Sequence, residues 1–243
     1  MQIQIAVAKV GKYATRESGD SLEMVERPMG GVSLVLVDGQ RSGRSAKAIS
    51  NLVAGKVIAL LAQGVRDGGA ARAAHDYLYM HKKGKVSATL NIISVDLETK
   101  SLVLSRNTHC PTILQYGPDY QSILDEATPA LGTRRRVKPT INEIPITLGL
   151  TAVVFTDGIL SAGQRSGTPL NPAEMINNLY SACAQEDEFA QAIADQLLAE
   201  ALRLDDNRPT DDVSVLVVSV VDRKSKDVRR MSVTVPVPPL LRP

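Results

Sequence analysis

Four aspartates each stand where an apolar run meets a turn, and they restrict how those runs can be assembled. They are Asp20 in Ser-Gly-Asp-Ser, Asp38 in Leu-Val-Asp-Gly, Asp157 in Phe-Thr-Asp-Gly and Asp211 in Pro-Thr-Asp-Asp-Val-Ser. Carboxylates at the ends of buried strands repel one another and are costly to desolvate unless a positive charge neutralises them. Hard divalent cations, which prefer oxygen ligands, are such a neutraliser. The pattern therefore suggests a metal-centred hydrolase. Each residue alone also reads as an ordinary turn aspartate, Asp20 most of all.

The remaining composition narrows the classes. A chain of 243 residues with 44% hydrophobic content has ample material for a core. A net charge of +2, six tyrosines, two phenylalanines and no tryptophan give little for base stacking, so no nucleic-acid partner is expected. Cys110 and Cys183 lie in neither a metal nor a redox spacing, which fits a reduced, cytoplasmic setting. The first residues alternate like a strand without a signal-peptide core, and no stretch reads as membrane-spanning, so no membrane partner is expected.

Strands are expected at 3–8, 32–37, 86–96, 101–105, 112–116, 121–124, 142–146, 151–155 and 213–221. The polar segment Gly11–Ser21 reads as a loop. Ala46, Ile49, Val53, Val57, Leu60 and Leu61 recur at helical spacing and predict a helix over 44–66. Asp67-Gly68-Gly69 reads as its breaker, with a second helix over 70–81. Further helices are expected at 172–184, behind Asn171 as N-cap, and at 186–204. With no Pro/Ser-rich linker and no repeat, one α+β domain over 1–222 is the economical reading. A C-terminal extension, 223–243, reads as one strand and a proline-rich end that could cover a sheet edge or pair with another subunit.

In order and spacing, Asp20, Asp38-Gly39, Thr156-Asp157-Gly158 and Asp211-Asp212-Val-Ser resemble the metal-dependent type 2C protein phosphatases, especially the bacterial stage II sporulation E-like and stressosome branch. Asp38-Gly-Gln-Arg-Ser-Gly-Arg-Ser-Ala is similar to that branch's Asp-Gly-x-Gly-x-Gly turn into a helix. Ser87-Ala-Thr-Leu-Asn through Val95-Asp96-Leu97 resembles its central hairpin. Asn107-Thr-His-Cys-Pro111 resembles its Ala-Gly-His-Pro-Pro, and Ala130-Leu-Gly-Thr133 its Leu-Gly turn. The likeness covers about residues 20–220.

The resemblance implies a four-layer αββα sandwich, two antiparallel sheets flanked by helices, and a serine/threonine protein phosphatase using two Mn2+ or Mg2+ ions. It implies that Asp38 bridges the ions, that the Gly39 carbonyl binds one, that Asp157 and Asp211 complete the other's shell, and that Asp20 acts largely through metal-bound water. Asp38 and Asp157 would then be catalytic through water activated on the metals. It implies a phosphorylated regulatory protein as substrate, of the anti-sigma or stressosome type. The helix pair 44–81 would form a partner or homodimer surface coupled to the metals.

Two departures stand out: Ser42 replaces a turn histidine found in many relatives, and Arg41 replaces a glycine. Arg16 is no convincing phosphate clamp. A weakly catalytic regulatory binding module, or a hydrolase of small phosphate esters, are the alternatives. His109 is expected to be a hydrogen-bonded core residue rather than a catalytic one, His75 and His81 surface residues, and Arg134-Arg135-Arg136 a solvated loop or a dock for an acidic partner.

Overall fold

Runs such as Val32–Val37 and Val213–Val221 are apolar at nearly every position, so each must be covered on both faces. In the computed structural model, which describes residues 1–15, 17–223 and 228–236, they lie in the middle layers of a four-layer stack. The strands are β1 (Gln2–Val10), β2 (Asp20–Glu26), β3 (Val32–Gly39), β4 (Ala88–Asp96), β5 (Ser101–Asn107), β6 (Thr112–Tyr116), β7 (Tyr120–Leu124), β8 (Thr140–Pro145), β9 (Leu150–Phe155) and β10 (Val213–Val221). The helices are α1 (Gly43–Ala62), α2 (Asp67–Lys82), α3 (Asp157–Ser161), α4 (Pro172–Ala182) and α5 (Phe189–Leu204).

One sheet runs β1-β10-β9-β6-β7 and the other β2-β3-β4-β5-β8. Every pairing is antiparallel. Strand alternation divides the apolar residues between two coverings. Leu34 and Leu36 join Leu216 and Val218 in the core between the sheets. Their neighbours Val35 and Val37 pack under α1 and α2 with Val53, Val57, Leu61 and Leu78. Val215 and Val217 pack on the opposite face with Phe155, Ile193 and Leu197 under α4 and α5. The αββα sandwich expected above is the observed architecture.

Several local expectations are corrected. Asp20 is not in a loop: it opens β2, an edge strand whose polar sequence Asp-Ser-Leu-Glu-Met-Val-Glu hides its pairing. Charged residues suit an exposed edge, where they discourage pairing with other chains. Asp67-Gly68-Gly69 starts α2 rather than breaking a helix, and a carboxylate in a first turn suits the helix dipole. Asp157 likewise begins a short helix, α3, where a turn was expected.

By length and composition α1 could cross a membrane, with 20 residues and a mean hydropathy of 1.4. This overturns the expectation that no stretch approaches such a length. Val53, Val57 and Leu61 are fully buried on its sheet-facing side, which accounts for its apolar character. Residues 228–236 form no strand and are exposed, although they alternate like one; Arg229 pairs there with Glu26 of β2. The expected proline-rich end beyond residue 236, and Arg16, lie outside the described residues.

Candidate metal centre

Antiparallel pairing sets Asp20 on β2 directly opposite Asp38 at the end of β3. Gly39 follows because α1 crosses closely here: a Cβ at 39 would run into the Ala46 carbonyl. The turn then leaves through Arg41, which holds a left-handed φ of +81°, the conformation that explains glycine in the resembling motif. Gln40 fixes the turn to the start of β4, its N–H donating to the Ser87 carbonyl at 3.0 Å and its Oε1 accepting from the Ser87 N–H at 3.0 Å. From the other sheet, Asp157 arrives at the end of β9 and Asp211 just before β10. A Cβ on Gly158 would strike the Asp212 carbonyl, so glycine lets these two segments touch.

The result is a pocket of about 430 Å³ bordered by Asp38, Gly39, Asp157 and Asp211, with Lys12, Arg41, Ser42 and His109 on its walls. A larger depression, about 620 Å³, lies against α1 and Tyr77 of α2 and gathers no acids, so the chemistry points to the acidic pocket.

Burial, and then repulsion from Asp20, Asp157, Asp211 and Asp212, push the Asp38 carboxyl up to about 8. Asp157 is raised by burial and by Asp211, an effect partly offset by His109, whose Nε2 is 3.9 Å from its Oδ2. Burial raises Asp20 to about 6 against two hydrogen bonds that favour its anion. Those bonds reach its Oδ2 from Thr156 Oγ at 3.0 Å and Ser214 Oγ at 2.6 Å. Its Oδ1 is buried and has no partner among the described residues.

The five residues expected at the metals divide accordingly. Asp38, Gly39, Asp157 and Asp211 border one pocket, whereas Asp20 sits 1% exposed and is not among its lining residues. Among the described residues, no three His, Cys, Asp or Glu side chains are already gathered tightly enough to grip one ion. The donor set nevertheless fits hard cations: it is made of oxygens, and its mutual repulsion is the strain that a divalent ion relieves.

Asp211 and Asp212 are adjacent in the sequence, and only the resemblance singles out Asp211. Asp211 faces the pocket; Asp212, 4% exposed, accepts from the Lys12 N–H at 2.9 Å and the Gly19 N–H at 2.8 Å. Asp212 thereby ties the segment before β2 to the metal-side turn. Lys12 was missed, since a lysine in a polar loop carries no signal of its own.

Two histidines exchange the places expected of them. His109 is on the pocket wall with a side chain 57% exposed, because the turn around it is held from below rather than by the ring. Buried Arg106 provides that hold, donating to the Cys110 carbonyl at 3.2 Å and the Glu126 carbonyl at 3.4 Å. His75, expected on the surface, is 1% exposed, and its Nδ1 accepts from the Gly132 N–H at 3.1 Å.

The model of the stage II sporulation protein E family matches residues 28–221, nearly the whole sandwich. The chain belongs to that family. The PP2C phosphatase domain, with a fragment of the regulatory domain, of SpoIIE from Bacillus subtilis superposes with a TM-score of 0.76 at 20% identity, covering 90% of this chain and 64% of that one. This SpoIIE-family chain thus spans just under two thirds of that structure's length. The RsbU and RsbW domains of a Mycobacterium tuberculosis protein superpose with a TM-score of 0.71 at 17% identity, covering 90% of this chain and 61% of that one. The catalytic domain of the serine threonine protein phosphatase PstP, in complex with two manganese ions, gives 0.67 at 17% identity, covering 90% of this chain and 99% of that one. These likenesses establish a PP2C fold. No curated protein sequence is significantly similar to the chain.

Proposed function

We propose that the chain is a metal-dependent serine/threonine protein phosphatase. The observation that carries this reading is the convergence of Asp38, Asp157 and Asp211, from three separate segments, on one pocket in a SpoIIE-family fold. These carboxylates and the Gly39 carbonyl would hold two ions, Mn2+ or Mg2+, a reading supported by a relative in complex with two manganese ions. Such ions, when bound, supply an activated water and neutralise charge on the phosphoryl oxygens. Asp20 lies behind Asp38, where its carboxylate would add negative charge to such a site, and its Oδ1 has no hydrogen-bond partner among the described residues.

The protein's own cations serve the substrate. Lys12 and Arg41 stand on the pocket wall, where ammonium and guanidinium groups bind phosphate oxygens. His109 lies beside Asp157, its Nε2 3.9 Å from Oδ2. His109 and Ser42 both line the pocket. The substrate is a phosphoserine or phosphothreonine on a regulatory protein of anti-sigma or stressosome type, a reading supported by the RsbU–RsbW relative and by SpoIIE as a cell-fate determinant. The same reading places the protein in the cytoplasm and makes the outer face of α1 and α2 a homodimer or partner surface.

A second reading, a weakly catalytic regulatory module, is favoured by Arg41, which keeps the strained backbone of a glycine position. Hydrolysis of an aryl phosphate and of a phosphoserine protein, with and without Mn2+ and with Asp38→Asn as control, separates them. Metal-dependent turnover of both, lost in the variant, is expected. Turnover of the ester alone would indicate a small-ester hydrolase, and turnover of neither would leave the regulatory module.

A further inference from the structure

The segment 125–139, between β7 and β8, is tied down almost along its whole length. The Thr128 N–H donates to the Thr108 carbonyl at 2.9 Å, and Asn107 Nδ2 donates to the Pro129 and Lys138 carbonyls at 3.0 and 3.3 Å. Leu131 and Ala88 exchange two backbone hydrogen bonds, at 2.8 and 3.2 Å. Gly132 is held by His75, and Val137 is 7% exposed. Between these anchors only Thr133, Arg134, Arg135 and Arg136 project, and all four are exposed.

Three like charges on four residues repel one another, and among the described residues none of the three arginines has an ion pair. Their place in the fold gives that cost a use. Ala88, one of these anchors, and Ala130, between the anchors Pro129 and Leu131, line the acidic pocket, so the arginines begin four residues along the chain from its lining. Lys12 and Arg41 continue the positive charge into the pocket.

We propose that Arg134, Arg135 and Arg136 dock an acidic stretch of the substrate flanking its phosphorylated residue. This rests on the phosphatase reading and names the substrate class for that site. A rigidly framed arginine finger keeps the entropy cost of pairing low, and each guanidinium accepts a carboxylate in a two-pronged geometry. A protein segment fits better than nucleic acid because the finger carries no aromatic ring for stacking bases.

The test compares two phosphoserine peptides of one core sequence, one flanked by Glu and Asp, the other by Gln and Asn. Binding is read by fluorescence anisotropy in EDTA, and turnover separately with Mn2+. Wild type is expected to bind the acidic peptide about tenfold more tightly at low salt, as three exposed charge pairs supply, with the gap closing at high salt. The variant carrying Arg134→Gln, Arg135→Gln and Arg136→Gln is expected to lose the preference through KM while its turnover of an aryl phosphate is unchanged. Preferential binding without hydrolysis of either peptide would support the dock and count against the phosphatase. A preference that is absent in wild type, or that survives in the variant, overturns the dock. So does equal, arginine-dependent binding of a single-stranded oligonucleotide of matching charge, which would mark a general polyanion patch.

Discussion

Replacing Asp38 with asparagine removes the charge that its neighbours oppose most while keeping the side chain's shape. The Asp38 carboxylate accepts no hydrogen bond among the described residues, so little is lost with the charge. Its pKa rises from 3.8 to about 8. The folded state therefore binds a proton that the unfolded chain has released between about pH 4 and pH 8, and stability falls as pH rises through that window. About four units at 1.36 kcal/mol each set a ceiling of ~5 kcal/mol at pH 8. The carboxylate reaches solvent through the pocket, and screening reduces this to about 1–3 kcal/mol.

At about 2–4 °C per kcal/mol for a domain of this size, Asp38→Asn is expected to raise the melting temperature of the metal-free protein by roughly 2–12 °C at pH 8. The gain should vanish near pH 4, where wild type is also neutral at this position. With Mn2+ the order reverses, because only wild type regains the lost stability by binding ions. Melts in EDTA and in Mn2+ at both pH values read all four cases. A variant less stable than wild type in EDTA at pH 8, or one stabilised by Mn2+ as strongly as wild type, would refute the carboxylate-crowding argument.

Gly39→Ala should cost about 1–3 kcal/mol in urea unfolding, because its Cβ meets the Ala46 carbonyl of α1. Arg41→Gly should add about 1 kcal/mol of stability by relieving a positive φ, and should raise KM for phosphate esters as a wall cation is lost. Arg41→Ala, which keeps the strain, should raise KM without the stability gain. Asp212→Asn should destabilise by about 1–3 kcal/mol, since one of its two backbone donors then faces the amide NH2 instead of an acceptor, with calorimetric unfolding as the check.

Apolar runs covered on both faces were legible because they lack strand alternation, and that was enough for the middle layers around Val35 and Leu216. The edge strand β2 was not legible: its residues answer to solvent on one side, and only the pairing with β3 makes Asp20 a strand residue. Strand ends announced Asp38 and Asp157 through the change from apolar to Asp-Gly. Nothing local could divide Asp211 from Asp212, because donors from residues 12 and 19 decide which one turns away. The histidines were misplaced for the same reason. His75 is buried by its contact with Gly132, 57 residues on, and His109 is presented outward by an arginine beneath it.

Anomalous scattering at the manganese edge, from crystals grown with Mn2+, tests the central claim most directly. The account predicts two peaks between the sheets, bounded by Asp38, Asp157, Asp211 and the Gly39 carbonyl, and their loss in Asp38→Asn crystals of the same form. Manganese bound elsewhere, or a pocket that stays empty at saturating metal, would contradict it.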